Sequence, residues 1–291
     1  MTGTDRERRL RFLADLTWRQ IIVICSVTSF VILALIAAFT LREGLPAFVE
    51  IGLAQFLTGT TWDVADNVFG ILPMILGSVY VTLGALVLSV PLGVACAIFL
   101  AEVAPYRIRQ IVRPAVELLV GIPSVVYGLV GMLLVVPLIG RLGGSGDSIL
   151  AASIVLTVMV LPTIISVSED SIRAVPRHHK EGALALGATP WQAMWRVTLP
   201  AARSGILAGV ILGMGRAIGE TMAMIMVIGN SIVIPDSPLS PARTLTGSLA
   251  LELKYAAGLQ WNALFATGVI LFVFILLLNS SALVMRRRGR T

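Results

Sequence analysis

Charge, cysteine and histidine are all scarce in this 291-residue sequence. Charged residues make up 13%, about half the usual share of a soluble domain and too little to coat one. Cys25 and Cys96 both fall inside apolar runs, so neither a disulfide framework nor a metal knuckle is available, and they read as small packing residues. The histidines, His178 and His179, are neighbours, and on a helix adjacent side chains diverge by about 100°, which makes them poor joint metal ligands. No metal site is expected. No G-x-x-x-x-G-K-[ST] pattern occurs, and neither Lys180 nor Lys254 follows a glycine, so the chain is not expected to supply an ATP site. Inside the apolar runs there is no histidine cluster and no nucleophile–base pair, which argues against a membrane enzyme. What the sequence has instead is apolar bulk: 57% hydrophobic residues and a mean hydropathy of +0.92. That balance implies an integral membrane protein.

The apolar runs and the basic residues define a layout. Residues 1–20 hold five arginines and precede a first span at 21–40, whose length and lack of a small-residue cleavage site argue against a removable leader. A polar, somewhat acidic segment follows at 41–67. A helical core is expected over 68–285, with spans at about 68–103, 115–140, 149–167, 205–230 and 261–285, and a basic tail at 286–291. Between the second and third spans lies a short basic loop, APYRIRQIVRP, and Glu117 just beyond it reads as a carboxylate pairing with a neighbouring arginine. Lysine and arginine divide 17 to 4 between the two sets of loops, with Arg216 alone inside a span. The positive-inside rule then puts both termini in the cytoplasm with six spans. The basic excess is topogenic, and no nucleic acid partner is implied.

The segment at 169–204, between the fourth and fifth spans, is the most specific signal. Pro176 opens a helical stretch, and Gly187 is placed to end it in the left-handed conformation. Thr189, Pro190 and Gln192 then supply an N-cap, a first-turn proline and a capping-box partner. Trp191, Met194 and Trp195 recur at i, i+3 and i+4, giving the second short helix an apolar stripe. Pattern alone leaves two readings open: a hairpin packed on its own membrane domain, or a docking surface for another protein.

The series Glu181-x-Ala183, Gly187, then Val197-x-Leu199-Pro200 resembles the "EAA" cytoplasmic loop of bacterial ABC-importer permeases. Gly182 stands where that family usually has alanine, and Val197 where isoleucine is common. GRAIGETMA at 215–223, GIPSVVYGLVG at 121–131 and PLGVACAIFLAEVAP at 91–105 narrow the resemblance to the phosphate-importer permeases. Phe56, Trp62, Asp63, Asn67 and Gly70 favour the PstC-type subunit over its PstA-type partner. The similarity runs from about residue 45 to the end. It implies an all-α, six-span permease of the bacterial inner membrane that forms half of a pore with a PstA-type permease. It also implies a coupling hairpin seated on a dimer of cytoplasmic ATPase subunits, which hold the ATP and Mg, and a phosphate-binding protein docked on the outer loops at 41–67 and 231–260. No cofactor is expected on this chain itself.

Within the fifth span, Gly209, Gly213, Arg216 and Glu220 are spaced by four, three and four residues and are expected on one helical face near mid-bilayer, with Gly205 extending that face toward the cytoplasm. The glycines allow close helix approach. Each charge facing lipid would cost about 2.5–3.5 kcal/mol, so both should face protein or water. Two roles compete. Arg216 could help an oxyanion along the pathway while Glu220 restrains it, since guanidinium matches phosphate oxygens in a fork. Alternatively the two form an interhelical or intersubunit ion pair that locks register. Other readings left open are an importer of sulfate or molybdate, and an ion-coupled secondary transporter using Glu220, although no internal repeat is evident.

Overall fold

The computed structural model describes the backbone of residues 3–288 and the side chains of residues 17–277 and 280. The arginines before Thr17 and those of the basic tail lie outside the described side chains. The chain is almost wholly helical. α1 (Gly3–Ala47) continues through a π-helical turn (Phe48–Gly52) into α2 (Leu53–Thr58), the bend falling at Gly52 with φ 85°. A two-stranded hairpin follows, β1 (Trp62–Asp63) antiparallel to β2 (Val68–Phe69), with Trp62 opposite Phe69. Next come α3 (Leu72–Ile98), prolonged by a π-helical turn to Val103, α4 (Tyr106–Val120), α5 (Ser124–Val130) and α6 (Val136–Gly140). The second half holds α7 (Ile149–Arg173), α8 (Arg177–Ala185), α9 (Pro190–Ala193), α10 (Leu199–Gly219), α11 (Met222–Val227), α12 (Leu245–Glu252) and α13 (Leu259–Arg288).

Among the described residues five helices are long and apolar enough to cross a membrane, and the bent pair α4 plus α5–α6, taken as one span, makes a sixth. That bend differs from the straight span expected at 115–140. The axis turns by 98° between Val120 and Ser124, where Pro123 lacks an N–H and pushes Ile122 out of the helical region. The segment expected as a basic loop is helical and forms the start of α4.

α7 is the central post. Its apolar window is 67% buried, against none for that of α1. α3 runs parallel to α7, and two hydroxyls tie them at a constant offset: Ser153 Oγ donates to Val81 O at 3.3 Å and Thr157 Oγ1 to Ala85 O at 3.2 Å. On the opposite flank α10 lies against α7 through its glycines. A Cβ at Gly205 would fall 2.2 Å from Ser171 Oγ, at Gly209 3.2 Å from Ser168 Oγ, and at Gly213 2.8 Å from Val160 Cγ1. Apolar lipid tails give no hydrophobic drive between spans, so close backbone approach of this kind and interhelical hydrogen bonds hold them together. α1 joins the rest through α13, where Gly44 backs onto the Ala266 backbone and Phe39 meets Phe265 edge-on at 5.6 Å.

Both ends of the bundle are fastened by polar side chains. At the end near Trp62, Glu252 accepts from Trp62 Nε1 at 2.9 Å and Gln260 Nε2 at 3.0 Å, and pairs with Arg243. Arg243 Nε also donates to Asn230 O at 3.0 Å, so the hairpin, the 229–244 loop, α12 and α13 meet at one carboxylate. At the other end, Arg109 Nε donates to Leu100 O at 2.9 Å. Arg113 pairs with Glu117 at 3.2 Å and Asp170 at 3.1 Å, and Glu169, 2% exposed, lies between Arg113 and Arg173. Glu117 thus has the arginine partner its position suggested.

Candidate functional site

The fifth span is not one helix. α10 ends at Gly219, and Glu220 adopts φ −70°, ψ 132° before α11 begins. Side chains satisfy the backbone groups that the break releases. Glu220 Oε1 accepts from the N–H groups of Thr221 at 3.1 Å and Ala223 at 3.3 Å. Thr221 Oγ1 donates to Gly219 O at 3.3 Å, and Thr246 Oγ1 to Glu220 O at 3.0 Å. The expectation of a single face carrying Gly209, Gly213, Arg216 and Glu220 is therefore corrected at its last member: Glu220 has left the helix and caps the next one.

Arg216 sits in the last turn of α10, half-buried, within electrostatic reach of Tyr127, whose hydroxyl donates to Leu119 O at 2.8 Å. Among the described residues of this chain no ion pair joins Arg216 to Glu220. The Glu220 carboxylate instead meets the amide end of α11, and Arg216 belongs to the last turn of α10, the end of a helix that favours a cation.

Around Glu220 the wall is hydroxylic. Ser78, Thr82 and Thr244, each under 10% exposed, line with Glu220, Ala217 and Met224 a cavity of about 10 Å³, room for one water at most. Ser78 Oγ accepts from Leu245 N at 2.9 Å, and Thr244 Oγ1 accepts from Gly247 N at 3.0 Å, capping α12. Thr244 was legible as a cap, but Ser78 and Thr82 were not singled out. Their signal is a pair of small hydroxyls one turn apart in an apolar helix. Ser78 is six residues into α3, about 9 Å from its end, so Glu220 lies off-centre, toward the Glu252 end of the bundle, with Arg216 about one turn deeper.

At the opposite end, α8 and α9 form the hairpin. Gly187 has φ 86°, the left-handed turn its position requires, and Thr189 and Gln192 form the reciprocal capping box. Glu181, Gly187 and Pro200 are exposed, while Ala183, Val197 and Leu199 are half-buried. The expected stripe divides: Met194 is buried against the membrane domain at 3% exposure, whereas Trp191 and Trp195 stay exposed, their rings edge-on at 5.6 Å. With Leu186, 92% exposed, they give the hairpin an uncovered apolar tip. His178 and His179 stack at 4.4 Å on the exposed surface of α8.

This arrangement has counterparts. A family profile described as "Binding-protein-dependent transport system inner membrane component" matches residues 89–291. A "Probable ABC transporter permease protein YqgH" of Bacillus subtilis is 41% identical, covering 94% of this chain and 92% of the relative. The "Phosphate transport system permease protein PstC" of Pasteurella multocida is 33% identical over 98% of this chain and 96% of its own length. Among solved structures, a bacterial alginate ABC transporter shares the fold with a TM-score of 0.65 at 19% identity, covering 93% of this chain and 95% of that one. The chain is an all-α, multi-pass membrane protein that belongs to the family of binding-protein-dependent transport system inner membrane components, alongside its PstC-type permeases.

Proposed function

We propose that this chain is one of two permease subunits of an ATP-driven importer of inorganic phosphate. The observation that carries the substrate assignment is Arg216, a half-buried guanidinium inside a span with no carboxylate paired to it among the described residues. Its five donors are available to the oxygens of a passing oxyanion. The relatives named as phosphate permeases support the same choice. Both termini lie in the cytoplasm, following the 17 to 4 division of basic residues. The exposed tip of Leu186, Trp191 and Trp195 then faces the cytoplasm and seats on an ATPase dimer, which binds ATP and Mg and carries out hydrolysis. This chain itself holds no cofactor or metal. A PstA-type permease packs beside α10, where Leu212 is exposed, completing the pathway beside Arg216. The opposite end, organised on Glu252, receives the phosphate-binding protein.

The test is uptake of labelled phosphate by cells with and without this chain, with excess sulfate and molybdate as competitors, followed by Arg216→Lys. We expect an ATP-dependent phosphate component that disappears on deletion. Lysine keeps the charge but loses the fork, so uptake should fall about tenfold or more at unchanged complex yield, the equivalent of about 1.4 kcal/mol. Competition by sulfate or molybdate would reassign the substrate, and uptake independent of ATP would favour a secondary transporter. Normal uptake by Arg216→Lys at normal yield would remove the direct oxyanion role.

A further inference from the structure

The second helix of the hairpin runs on into the fifth span as far as Gly219 and buries Ala193 and Met194, whereas the first, α8, buries none of its residues. One ion pair ties α8 to the membrane domain. Lys180 Nζ donates to Glu102 Oε2, with the lysine side chain 35% and the glutamate 14% exposed. Glu102 belongs to the π-helical turn that prolongs α3 to Val103, so the bond joins the hairpin to the end of a single span running from Leu72 to Val103. That end is otherwise gripped by Arg109 and Arg173, which donate to the carbonyls of Leu100 and Ala101.

The far end of α3 is tied as closely to the break in the fifth span. A Cβ at Gly77 would fall 2.4 Å from Arg243 O, and Ser248 Oγ donates to Met74 Sδ at 3.1 Å. Ser78 accepts from Leu245 N, and the next residue, Thr246, donates to Glu220 O. Ser78 and Glu102 are 24 residues apart, about 36 Å along a helix. Packed helices shift as stiff bodies with discrete arrangements, so displacement at one end of α3 is delivered to the other.

We propose that Lys180 and Glu102 are positioning residues that form the joint of the coupling machinery, and that α3 is the rod carrying hairpin movement to the hydroxyl-lined cavity at Glu220. The pair touches neither substrate nor nucleotide; it transmits. This rests on the reading of the hairpin as the seat of an ATPase.

The test uses the complete transporter, with its ATPase, second permease and binding protein, in phospholipid vesicles. Two quantities are read: phosphate imported per ATP hydrolysed, and ATP-dependent labelling of Ser78→Cys by a thiol reagent in a Cys25→Ala, Cys96→Ala background. Lys180→Glu is expected to lower the import-to-hydrolysis ratio about fivefold or more, the lower range of ordinary site-to-site coupling, and to abolish the ATP-dependent change in labelling. Lys180→Glu with Glu102→Lys restores the pair with reversed polarity and should recover both readouts. Glu102→Gln supplies the same test should Lys180→Glu fail to assemble. An unaltered ratio and unaltered labelling in an assembled Lys180→Glu or Glu102→Gln transporter overturns the joint while leaving the importer reading intact. A parent complex without ATP-dependent import overturns both. Loss in the single variants that the reversed pair does not repair overturns the pairwise role.

Discussion

Gly205→Ala adds one methyl group where α10 crosses α7. The new Cβ would fall 2.2 Å from Ser171 Oγ and 2.4 Å from Ser171 Cβ. The hydroxyl could rotate, but the Cβ is fixed to the α7 backbone, so the helices must separate. Overpacking of this kind costs about 1–3 kcal/mol. Ten residues along the same helix, a Cβ at Gly215 meets nothing within 4 Å, and there alanine gains up to about 1 kcal/mol of helix propensity. That gain is common to both positions of α10, so the variants should differ by the overpacking cost alone, about 1–3 kcal/mol. Thermal unfolding of the isolated chain in detergent, at one fixed scan rate, would read this as an apparent Tm several degrees lower for Gly205→Ala than for Gly215→Ala. Adding Ser171→Gly removes the obstructing atoms and should recover most of the loss, since residues in direct contact are non-additive. Equal melting temperatures, or no recovery in the double variant, would refute the close-packing role of this face.

Two further perturbations address the ends of the bundle. Glu252→Ala leaves Trp62, Arg243 and Gln260 without their shared acceptor. Discounted for partial exposure, the loss should be about 1–3 kcal/mol and should expose the Pro235–Pro241 loop to protease; an unchanged digestion pattern would count against the clamp. Trp191→Ala with Trp195→Ala removes exposed rings and should leave the melting temperature within error, while ATPase subunits recovered with the purified chain fall about tenfold or more. Full retention of the ATPase would move its seat elsewhere.

Much of this could be read from the residues because it depends on local chemistry. A left-handed turn needs Gly187, and a capping box needs Thr189 and Gln192 at their spacing. Close approach of α10 to α7 needs small residues at Gly205, Gly209 and Gly213. The departures have nonlocal causes. Arg216 and Glu220 are four residues apart in an apolar run, the spacing of a helical ion pair. What ends the helix is the capping of Thr221 and Ala223 by the Glu220 carboxylate, together with a hydroxyl from Thr246, 26 residues further on. The triplet Gly219-Glu220-Thr221 was the available hint. Pro123 likewise marked the bend in the third span, but the turn of 98° depends on where α4 is anchored by Arg109 and Arg113. The spacing of Ser78 and Thr82 marks them only as small hydroxyls in an apolar helix, because the partner of Ser78, Leu245 N, arrives from far along the chain.

The break at Glu220 has a consequence for speed. Two opposite charges that neutralised each other across a continuous helix would have to be pulled apart before either could greet a visitor, and that separation would add to the barrier of every transport cycle. Here Glu220 is compensated by the peptide N–H groups that open α11, and among the described residues no carboxylate pairs with Arg216. On the proposed role of Arg216 toward a passing anion, the guanidinium needs no carboxylate of this chain to depart first. On the proposed reading, a route arranged in this way offers brief hospitality without a deep well, which suits a conduit whose task is to let go.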